Sequence, residues 1–269
     1  WSRFPEPGTR GLLRPVAADS LPTVLIVLPP SEGKAAPLRG PALDLASLSF
    51  PELTPVRERV LDALASLCDG PIDRAVAVLG LGRTQSAEAE RNRTLRSRPT
   101  APAIRVYSGV LFDALDYRTL TPRGRRRAQD RIAISSGLWG LVRPMDRIPD
   151  YRLSGAVTLP GMGTLAGAWR GAVGAAIEGT SGLIIDLRSG TYAALGPVPS
   201  GARRRVVTVR VLQESDGRRT IVSHMNKATK GRVVRSLLEG DEQVASPVDL
   251  LDALHQWGYG AELTASRAG

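Results

Sequence analysis

The chain has 269 residues, of which 42% are hydrophobic and 23% charged, and this is enough to bury one large core. Its formal net charge is +10, which suits a polyanionic partner such as nucleic acid. No apolar run reaches the roughly 20 residues that span a bilayer, and Arg and Pro stand where a signal peptide needs apolar residues. We therefore expect a soluble, cytoplasmic protein without a membrane partner.

The N-terminal half alternates unpatterned and periodic segments. Residues 1–22 mix Pro, Gly and Arg, and they predict an N-terminal extension. "TVLIVL" (23–28) is typical of a strand buried on both faces, and "PPSEGK" ends it. Residues 54–68 predict a helix in which Cys68, the only cysteine, is a small buried side chain. Residues 72–95 predict two helices joined by a Gly-Leu-Gly turn.

The C-terminal half continues the mixture. We expect a strand turning at Gly137 in 131–144, a strand with a polar turn in 182–195, a hairpin turning at Asp216-Gly217 in 203–225, and helices in 226–240 and 246–259. Strands interleaved with helices predict a mixed α/β fold, with a mixed sheet flanked by helices. The predicted organisation is one domain over 23–260 and a C-terminal tail over 261–269.

The loop after the first strand offers Ser31, Glu32 and Lys34, with Gly33 allowing close approach to a ligand. The spacing of a nucleotide-binding P-loop is absent. An anion-binding or catalytic loop is one interpretation, and a turn with an exposed Lys and Glu is the other.

A second candidate site is "NKATKGR" (226–232). Asn226 is a suitable N-cap, which would place Lys227 and Lys230 on one face of the first helical turns. Cations oppose the helix dipole there, so an anionic ligand would compensate them. His224 could donate a proton, or it could be an ordinary surface residue.

Lysine is rare in this chain. Of 36 basic residues only Lys34, Lys227 and Lys230 are lysines, which leaves 33 arginines. Helix propensity hardly separates Lys from Arg, but an ammonium group can lose its proton when it is desolvated, whereas a guanidinium group stays charged. Lysines confined to two candidate loops suggest positions where Arg would fail; chance is the alternative.

Two further turns carry candidate ligand groups. In 136–157, Arg143, Asp146, Tyr151 and Arg152 could hold a phosphate or carboxylate, or they could form structural ion pairs. In 186–192, Ser189 and Tyr192 follow a predicted strand, and Asp186 could simply hold the loop.

The turn at Gly80 and Gly82 resembles those of helix-hairpin-helix elements, whose backbone N–H groups contact a DNA phosphate with a basic residue nearby, here Arg83. A helix connection with a Gly C-cap explains the same letters without DNA.

Together, "LPPSEGK", "SGLWGLVRPMDRIPDYRL", "LIIDLRSGTYAAL" and "SHMNKATKGR" resemble the peroxide stress protein YaaA family over about residues 23–260. The resemblance implies a mixed α/β fold with a basic cleft, a cytosolic role against hydrogen peroxide, and DNA binding through a helix-hairpin-helix element. It carries over Lys34, Arg143, Asp146, Tyr151, Arg152, Ser189, Tyr192, Lys227, Lys230 and Arg232. Family members often have S-P-A-K in place of P-S-E-G-K, F-W-G in place of "AWRG", and Ser-Asp-Glu-Tyr in place of Ser-Gly-Thr-Tyr.

Two functions follow from these patterns. The first is a stress protein that binds double-stranded DNA, or another phosphate-bearing ligand, in a basic cleft. The second is an enzyme acting on a small anionic or nucleotide-like substrate among Lys34, Lys227, Lys230 and Arg143, with Glu32 or His224 moving protons. The sequence identifies no cofactor and no metal site.

Overall fold

The computed structural model describes residues 24–215, 218–220 and 223–265, with Arg83 and residues 213–215, 218–220 and 223–225 described by their backbone alone. The predicted extension at 1–22, the predicted turn at Asp216-Gly217 and the last four residues of the predicted tail therefore lie outside the described residues. The proposed division into one domain and two terminal segments stays a prediction.

The strands are β1 Val24–Leu28, β2 Ala101–Pro102, β3 Ile132–Ser136, β4 Gly140–Val142, β5 Arg147–Ile148, β6 Thr158–Leu159, β7 Gly163–Thr164, β8 Leu183–Asp186, β9 Val206–Thr208, β10 Gln213–Ser215 and β11 Arg218–Thr220. The α-helices are α1 Thr54–Asp69, α2 Ile72–Leu79, α3 Ser86–Asn92, α4 Ala103–Val106, α5 Val110–Leu115, α6 Pro122–Arg131, α7 Leu165–Glu178, α8 Gly190–Ala194, α9 Ser223–Glu239 and α10 Pro247–Gln256. Short 3-10 helices lie at Leu45–Ser47, Pro51–Leu53, Arg83–Gln85, Tyr117–Thr119 and Ser200–Arg205.

A five-stranded mixed sheet forms the centre of the fold, in the order β4-β3-β1-β8-β9. β1 pairs in parallel with β3 and β8, β8 pairs in parallel with β9, and β4 is antiparallel to β3. Every residue of β1, β3 and β8 is buried, as expected for strands covered on both faces. The predicted α/β class with a mixed sheet between helices is confirmed.

The chain connections diverge at the carboxyl ends of the neighbouring strands β1 and β8. The chain leaves β1 toward β3 on one side, whereas it leaves the neighbouring β8 toward β9 on the other side. Leu187 N–H also donates to Val27 O (2.9 Å), which keeps the two strand ends together. In open α/β sheets, ligands bind outside the carboxyl ends of neighbouring strands whose connections diverge in this way. The loops after β1 and β8 are therefore well placed to form a site.

Most predicted helices are confirmed. α1 begins at Thr54 with Pro in its first turn, and Cys68 near its end is 1% exposed. α2 and α3 flank the Gly80 turn. α10 begins after Ser246, whose Oγ accepts a hydrogen bond from Asp249 N–H (3.2 Å) as an N-cap.

Near the C-terminus, one prediction is confirmed in part and another is wrong. The hairpin predicted over 203–225 is shorter: β10 and β11 form an antiparallel pair, whereas β9 joins the central sheet in parallel. α9 begins at Ser223, so Asn226 is the fourth residue of the helix and not its N-cap. The helix starts earlier because no Pro or Gly interrupts residues 223–226. Lys227 and Lys230 consequently lie in the second and third turns, beyond the free N–H groups of the helix start.

α9 packs closely against α5, and Gly231 makes this contact possible. A Cβ atom at Gly231 would lie 2.3 Å from Leu111 O and 2.8 Å from Ala114 Cβ, closer than van der Waals contact allows. Glycine at this position therefore fixes the distance between α9 and the rest of the core.

Candidate functional site

The loop after β1 docks onto the segment that follows α4. Ser31 Oγ donates to Gly33 O (2.6 Å) and accepts from Ser108 N–H (3.0 Å). Lys34 forms a bridge with Tyr107, and Ala35 N–H donates to Val106 O (2.8 Å). The Ser31 hydroxyl group therefore holds the loop in its conformation. The ligand-binding role that the sequence suggested for Ser31 stays a prediction.

The amine of Lys34 is half-buried among aromatic rings and carbonyl groups. Its Nζ donates to Ser31 O (3.0 Å) and Glu32 O (3.4 Å), and it lies 4.3 Å from the centre of the Tyr151 ring. Burial lowers the pKa of Lys34 from 10.5 to about 8, although the nearby charge of Glu32 acts in the opposite direction. Lys34 therefore carries a substantial fraction of neutral amine near physiological pH.

A cavity of about 320 Å³ opens beside this amine. It is lined by the residues Glu32, Gly33, Lys34, Gln85, Glu88, Arg91, Asp150, Tyr151 and Arg152. Three of these side chains are basic and three are acidic, so this cavity is not the basic cleft that the resemblance implies.

Ion pairs fix the cavity wall. Arg152 contacts Glu32 (Nη1–Oε2, 3.1 Å) and Glu88 (Nε–Oε2, 3.4 Å). Its backbone exchanges hydrogen bonds with the amide of the buried Asn92. Asp150, which is 3% exposed, accepts from Arg91 (3.3 Å) and from Arg98 (2.8 Å). Arg152 and Tyr151, two residues singled out by the sequence, thus lie in the same cavity as Lys34 and Glu32.

Three buried hydroxyl groups form a chain beneath the cavity. Ser136 Oγ lies 2.7 Å from Tyr151 Oη, which lies 3.0 Å from Tyr107 Oη. Ser136 Oγ also accepts hydrogen bonds from the N–H groups of Leu138 (3.1 Å) and Trp139 (2.9 Å). Both of its lone pairs are then in use, so its proton is donated to Tyr151, and Tyr151 donates to Tyr107. This chain fixes the Tyr151 ring under the Lys34 amine.

The loop after β8 is held by its own ion pair. Asp186 binds Arg188 through both carboxylate oxygens (2.9 and 2.7 Å), and both residues are buried. Tyr192 Oη accepts from Gly155 N–H (3.4 Å), whereas Ser189 is exposed before α8. The alternative reading of Asp186, a residue that holds the loop, is the one that this geometry favours.

Lys230 reaches the same loop from α9. It is 9% exposed, and its Nζ donates to Leu187 O (2.9 Å). Burial lowers the pKa of Lys230, and the charge of Asp186 opposes this shift. Asn226, one turn earlier, has a buried Oδ1 without a hydrogen-bond partner among the described residues. Lys230 therefore lies at the end of β8, next to the strand that precedes Lys34.

Lys227 and Arg232, two further residues of the "NKATKGR" segment, lie at the surface. Lys227 is exposed, and the exposed contact of Arg232 is a hydrogen bond to Thr229 Oγ1 (3.2 Å). The side chain of His224 lies outside the described residues. Ligand or catalytic roles for these three residues stay predictions.

Arg143 and Asp146 make structural contacts away from the cavity. Asp146 accepts from Ser49 Oγ (2.7 Å), Ser49 N–H and Arg143 N–H. Arg143 donates to Asp130 O and Ile132 O, and its guanidinium group stacks 5.0 Å from the centre of the Phe50 ring. This geometry favours the alternative in which the pair is scaffolding, and an anion-binding role stays a prediction.

The Gly80 turn satisfies its own backbone. Gly80 has φ +64° and donates to Ala77 O (3.2 Å), and Leu81 N–H donates to Val76 O (2.9 Å), which is a helix C-cap. Gly82 N–H donates to Gln85 Oε1 (2.9 Å). All three N–H groups are occupied, so the alternative of a helix connection explains this turn. The side chain of Arg83 lies outside the description, and DNA contact at Gly80, Gly82 and Arg83 stays a prediction.

Sequence patterns missed several residues that build the site. The sequence analysis did not identify five residues of the site: Tyr107, Ser136, Glu88, Arg91 and Asp150. No pattern in the sequence around Tyr107 indicates a site, because only its bridge to Lys34 brings it close to the cavity. Arg57 was also missed; it is fully buried and donates to Trp139 O (3.1 Å), Leu141 O (2.8 Å) and Ser49 O (2.7 Å). Its place among the apolar positions of α1 could have indicated that Arg57 is buried.

The described part of the chain shows neither a membrane-spanning helix nor a cluster of metal ligands. None of its helices is long and apolar enough to cross a membrane. No three His, Cys, Asp or Glu side chains within residues 24–215, 218–220 and 223–265 come together as metal ligands would.

Comparison with known proteins agrees with the motifs. The family model described as peroxide stress protein YaaA matches residues 24–263. A UPF0246 protein of Streptomyces coelicolor is 45% identical over 248 residues, covering 91% of this chain and 95% of the relative. A UPF0246 protein of Corynebacterium efficiens is 44% identical over 248 residues, covering 91% of this chain and 97% of the relative. The chain therefore belongs to the peroxide stress protein YaaA family.

Proposed function

We propose that this protein acts in peroxide resistance by binding a small anionic molecule in the cavity beside Lys34, where the amine of Lys34 takes part in the chemistry. The observation that carries the proposal is the half-buried amine, held over the Tyr151 ring at the edge of a cavity of about 320 Å³. That volume is in the range of small-molecule sites. A perturbed titratable group in such a cavity is a candidate functional residue.

The arginines of the cavity wall supply the affinity for an anion. Arg152 is paired with Glu32, whose side chain is 55% exposed, and an incoming carboxylate or phosphate would replace Glu32 at Arg152. Arg91 is held by the buried Asp150 and is itself 39% exposed toward solvent. A planar guanidinium group binds such anions with two hydrogen bonds.

The test compares survival of hydrogen peroxide in a bacterial strain that lacks its own family member. Lys34→Arg keeps the positive charge but removes a group that can deprotonate, so it should lose protection. Arg105→Lys, at an exposed position of α4, is the matched control and should protect as well as the unchanged chain. Thermal melting of both variants shows whether they fold. Full protection by a folded Lys34→Arg variant would contradict the proposal.

DNA binding is the second candidate function, favoured by the net charge of +10 and by the exposed Arg123 and Arg126 on α6. These two residues line a second cavity, of about 310 Å³, together with Arg127 and Arg131 and with the acidic residues Asp130, Asp241 and Glu242. Phosphate contacts make affinity fall with salt at a log-log slope near −0.9 per contact. Duplex binding with a slope that decreases by about 2 in the Arg123→Gln/Arg126→Gln variant would support this function. Absence of duplex binding in dilute salt would exclude it.

A further inference from the structure

We propose that Lys34 is a nucleophile that forms an imine with the carbonyl carbon of a small 2-oxo acid or anionic aldehyde bound in the cavity beside it. This inference rests on the proposed function, because it names the class of ligand and the bond that the same cavity would form. It stands on three features of the site: the hydrogen bonds of the amine, the Tyr151 ring next to it, and the arginines that line the same cavity.

The hydrogen bonds of Lys34 suit a nucleophilic amine. Its Nζ has two acceptors, the carbonyl oxygens of Ser31 and Glu32. A neutral amine has two N–H bonds and one lone pair, so loss of one proton leaves both hydrogen bonds in place and frees the lone pair. With a pKa of about 8, about a quarter of the molecules carry this neutral form at pH 7.5. An arginine at this position would stay protonated.

The ring of Tyr151 stabilises the product of the attack. The reaction converts an uncharged amine into an iminium cation, and the new charge lies on the same nitrogen, 4.3 Å from the ring centre. An aromatic face attracts a cation at this distance. The hydroxyl chain from Ser136 to Tyr107 prevents the ring from turning away. Burial also raises the pKa of both tyrosines, so they stay uncharged.

The step balances without an oxidant or a reductant. The Lys34 nitrogen attacks the carbonyl carbon, a C–N bond forms, and the carbonyl oxygen takes a proton from solvent. The nitrogen then releases a proton to solvent, and the hydroxyl oxygen takes a second proton from solvent. The C–O bond breaks, the oxygen leaves as water, and a C=N bond forms, so that the product is the iminium cation. Arg152 would hold the carboxylate of a 2-oxo acid during this step. If the ligand has a second anionic group, Arg91 would bind it.

The rarity of lysine makes the experiment unusually selective. The purified full chain is incubated with glyoxylate or pyruvate and sodium cyanoborohydride at pH 8, and the reduced adduct is located by peptide mass spectrometry. Only Lys34, Lys227, Lys230 and the terminal amine can be labelled, because the chain has three lysines. At pH 8 half of an amine with a pKa of 8 is neutral, compared with well under 1% at the ordinary lysine pKa. We expect Lys34 to be labelled at least about tenfold faster than Lys227.

Two further measurements complete the test. The rate of trapping at Lys34 should reach half its maximum near pH 8, and Tyr151→Leu should slow it more than Tyr151→Phe, which keeps the ring. Equal labelling of Lys34 and Lys227, or no adduct at Lys34, would overturn the imine. If Lys34 is not trapped but a folded Lys34→Arg variant still loses peroxide protection, the imine is wrong and the anion site stands. If Lys34 is trapped but Lys34→Arg protects fully, the imine is correct and its link to peroxide resistance is wrong.

Discussion

The half-buried amine of Lys34 should make the free energy of unfolding depend on pH. Its pKa is about 8 in the folded chain and near 10.5 when the chain is unfolded. Between these values the unfolded state holds a proton that the folded state has lost, so the free energy of unfolding rises with pH. Below pH 8 both states are protonated, and the burial of the charge is a constant penalty on folding.

Replacing the amine isolates this contribution. The side chain in Lys34→Met has a similar length and does not titrate. The difference between the free energies of unfolding of the two proteins therefore contains the titration of Lys34, whereas the titrations that both proteins share cancel. Integration between pH 8 and pH 10, with the two pKa values above, gives a gain of about 2 kcal/mol for the unchanged chain relative to the variant. The loss of hydrogen bonds to Ser31 O and Glu32 O shifts the whole curve of the variant but does not change its slope.

Urea unfolding of both proteins at half-unit intervals from pH 7 to pH 10 measures the difference. We expect the two free energies of unfolding to differ by a constant amount up to about pH 7.5 and then to diverge in favour of the lysine protein. A difference that stays constant up to pH 10 would show that Lys34 keeps an ordinary pKa. The reasoning from burial would then fail, and a neutral Lys34 amine near pH 8 would no longer be expected.

Three other predictions concern stability and reactivity. Gly231→Ala should lower the free energy of unfolding by at least about 2 kcal/mol, because its Cβ would lie 2.3 Å from Leu111 O. A Cβ at Gly171 in α7 would have no atom within 4 Å, so the control variant Gly171→Ala should stabilise the protein slightly. Equal effects of the two variants in urea unfolding would refute the close contact. Ser136→Ala should lower the free energy of unfolding by about 2 kcal/mol or more, because two N–H groups lose their acceptor. Ser135→Ala removes a buried hydroxyl group that has no partner among the described residues, so it should lower the free energy of unfolding little. A reversed order of the two values would contradict the hydroxyl chain. Burial raises the pKa of the Cys68 thiol, so hydrogen peroxide should leave Cys68 reduced in the folded chain while oxidising it in urea, as mass spectrometry would show; rapid oxidation of the folded chain would contradict this.

The central sheet could be predicted from local patterns, whereas the candidate site could only be predicted in part. "TVLIVL" and "GLIIDL" are recognisable as buried strands because every residue in such a strand is apolar or held by a buried partner. Lys34, Tyr151 and Arg152 were recognised because they stand in turns rich in Gly and Pro. Tyr107 and Glu88 escaped because the contacts that make them important are with Lys34 and Arg152, which are distant in sequence.

The errors have a common physical cause. An alternating pattern predicts a strand but does not choose its partner, so residues 203–225 looked like a single hairpin although β9 pairs in parallel with β8. Asn is a good N-cap, but the start of a helix also depends on whether the preceding residues find tertiary contacts. The inference of an anion site at the start of α9 depended on that boundary, and the shift to Ser223 removes its basis.

Helix α3 belongs to two features of this molecule at once. The residue just before it, Gln85, accepts a hydrogen bond from Gly82 in the turn for which the resemblance implies DNA contact. Glu88 and Arg91 of the helix form part of the cavity wall beside Lys34. A rigid helix of seven residues cannot move at one end without moving at the other. If a partner of the turn and a ligand of the cavity both bind more tightly in one position of α3, each changes the affinity for the other by the same factor.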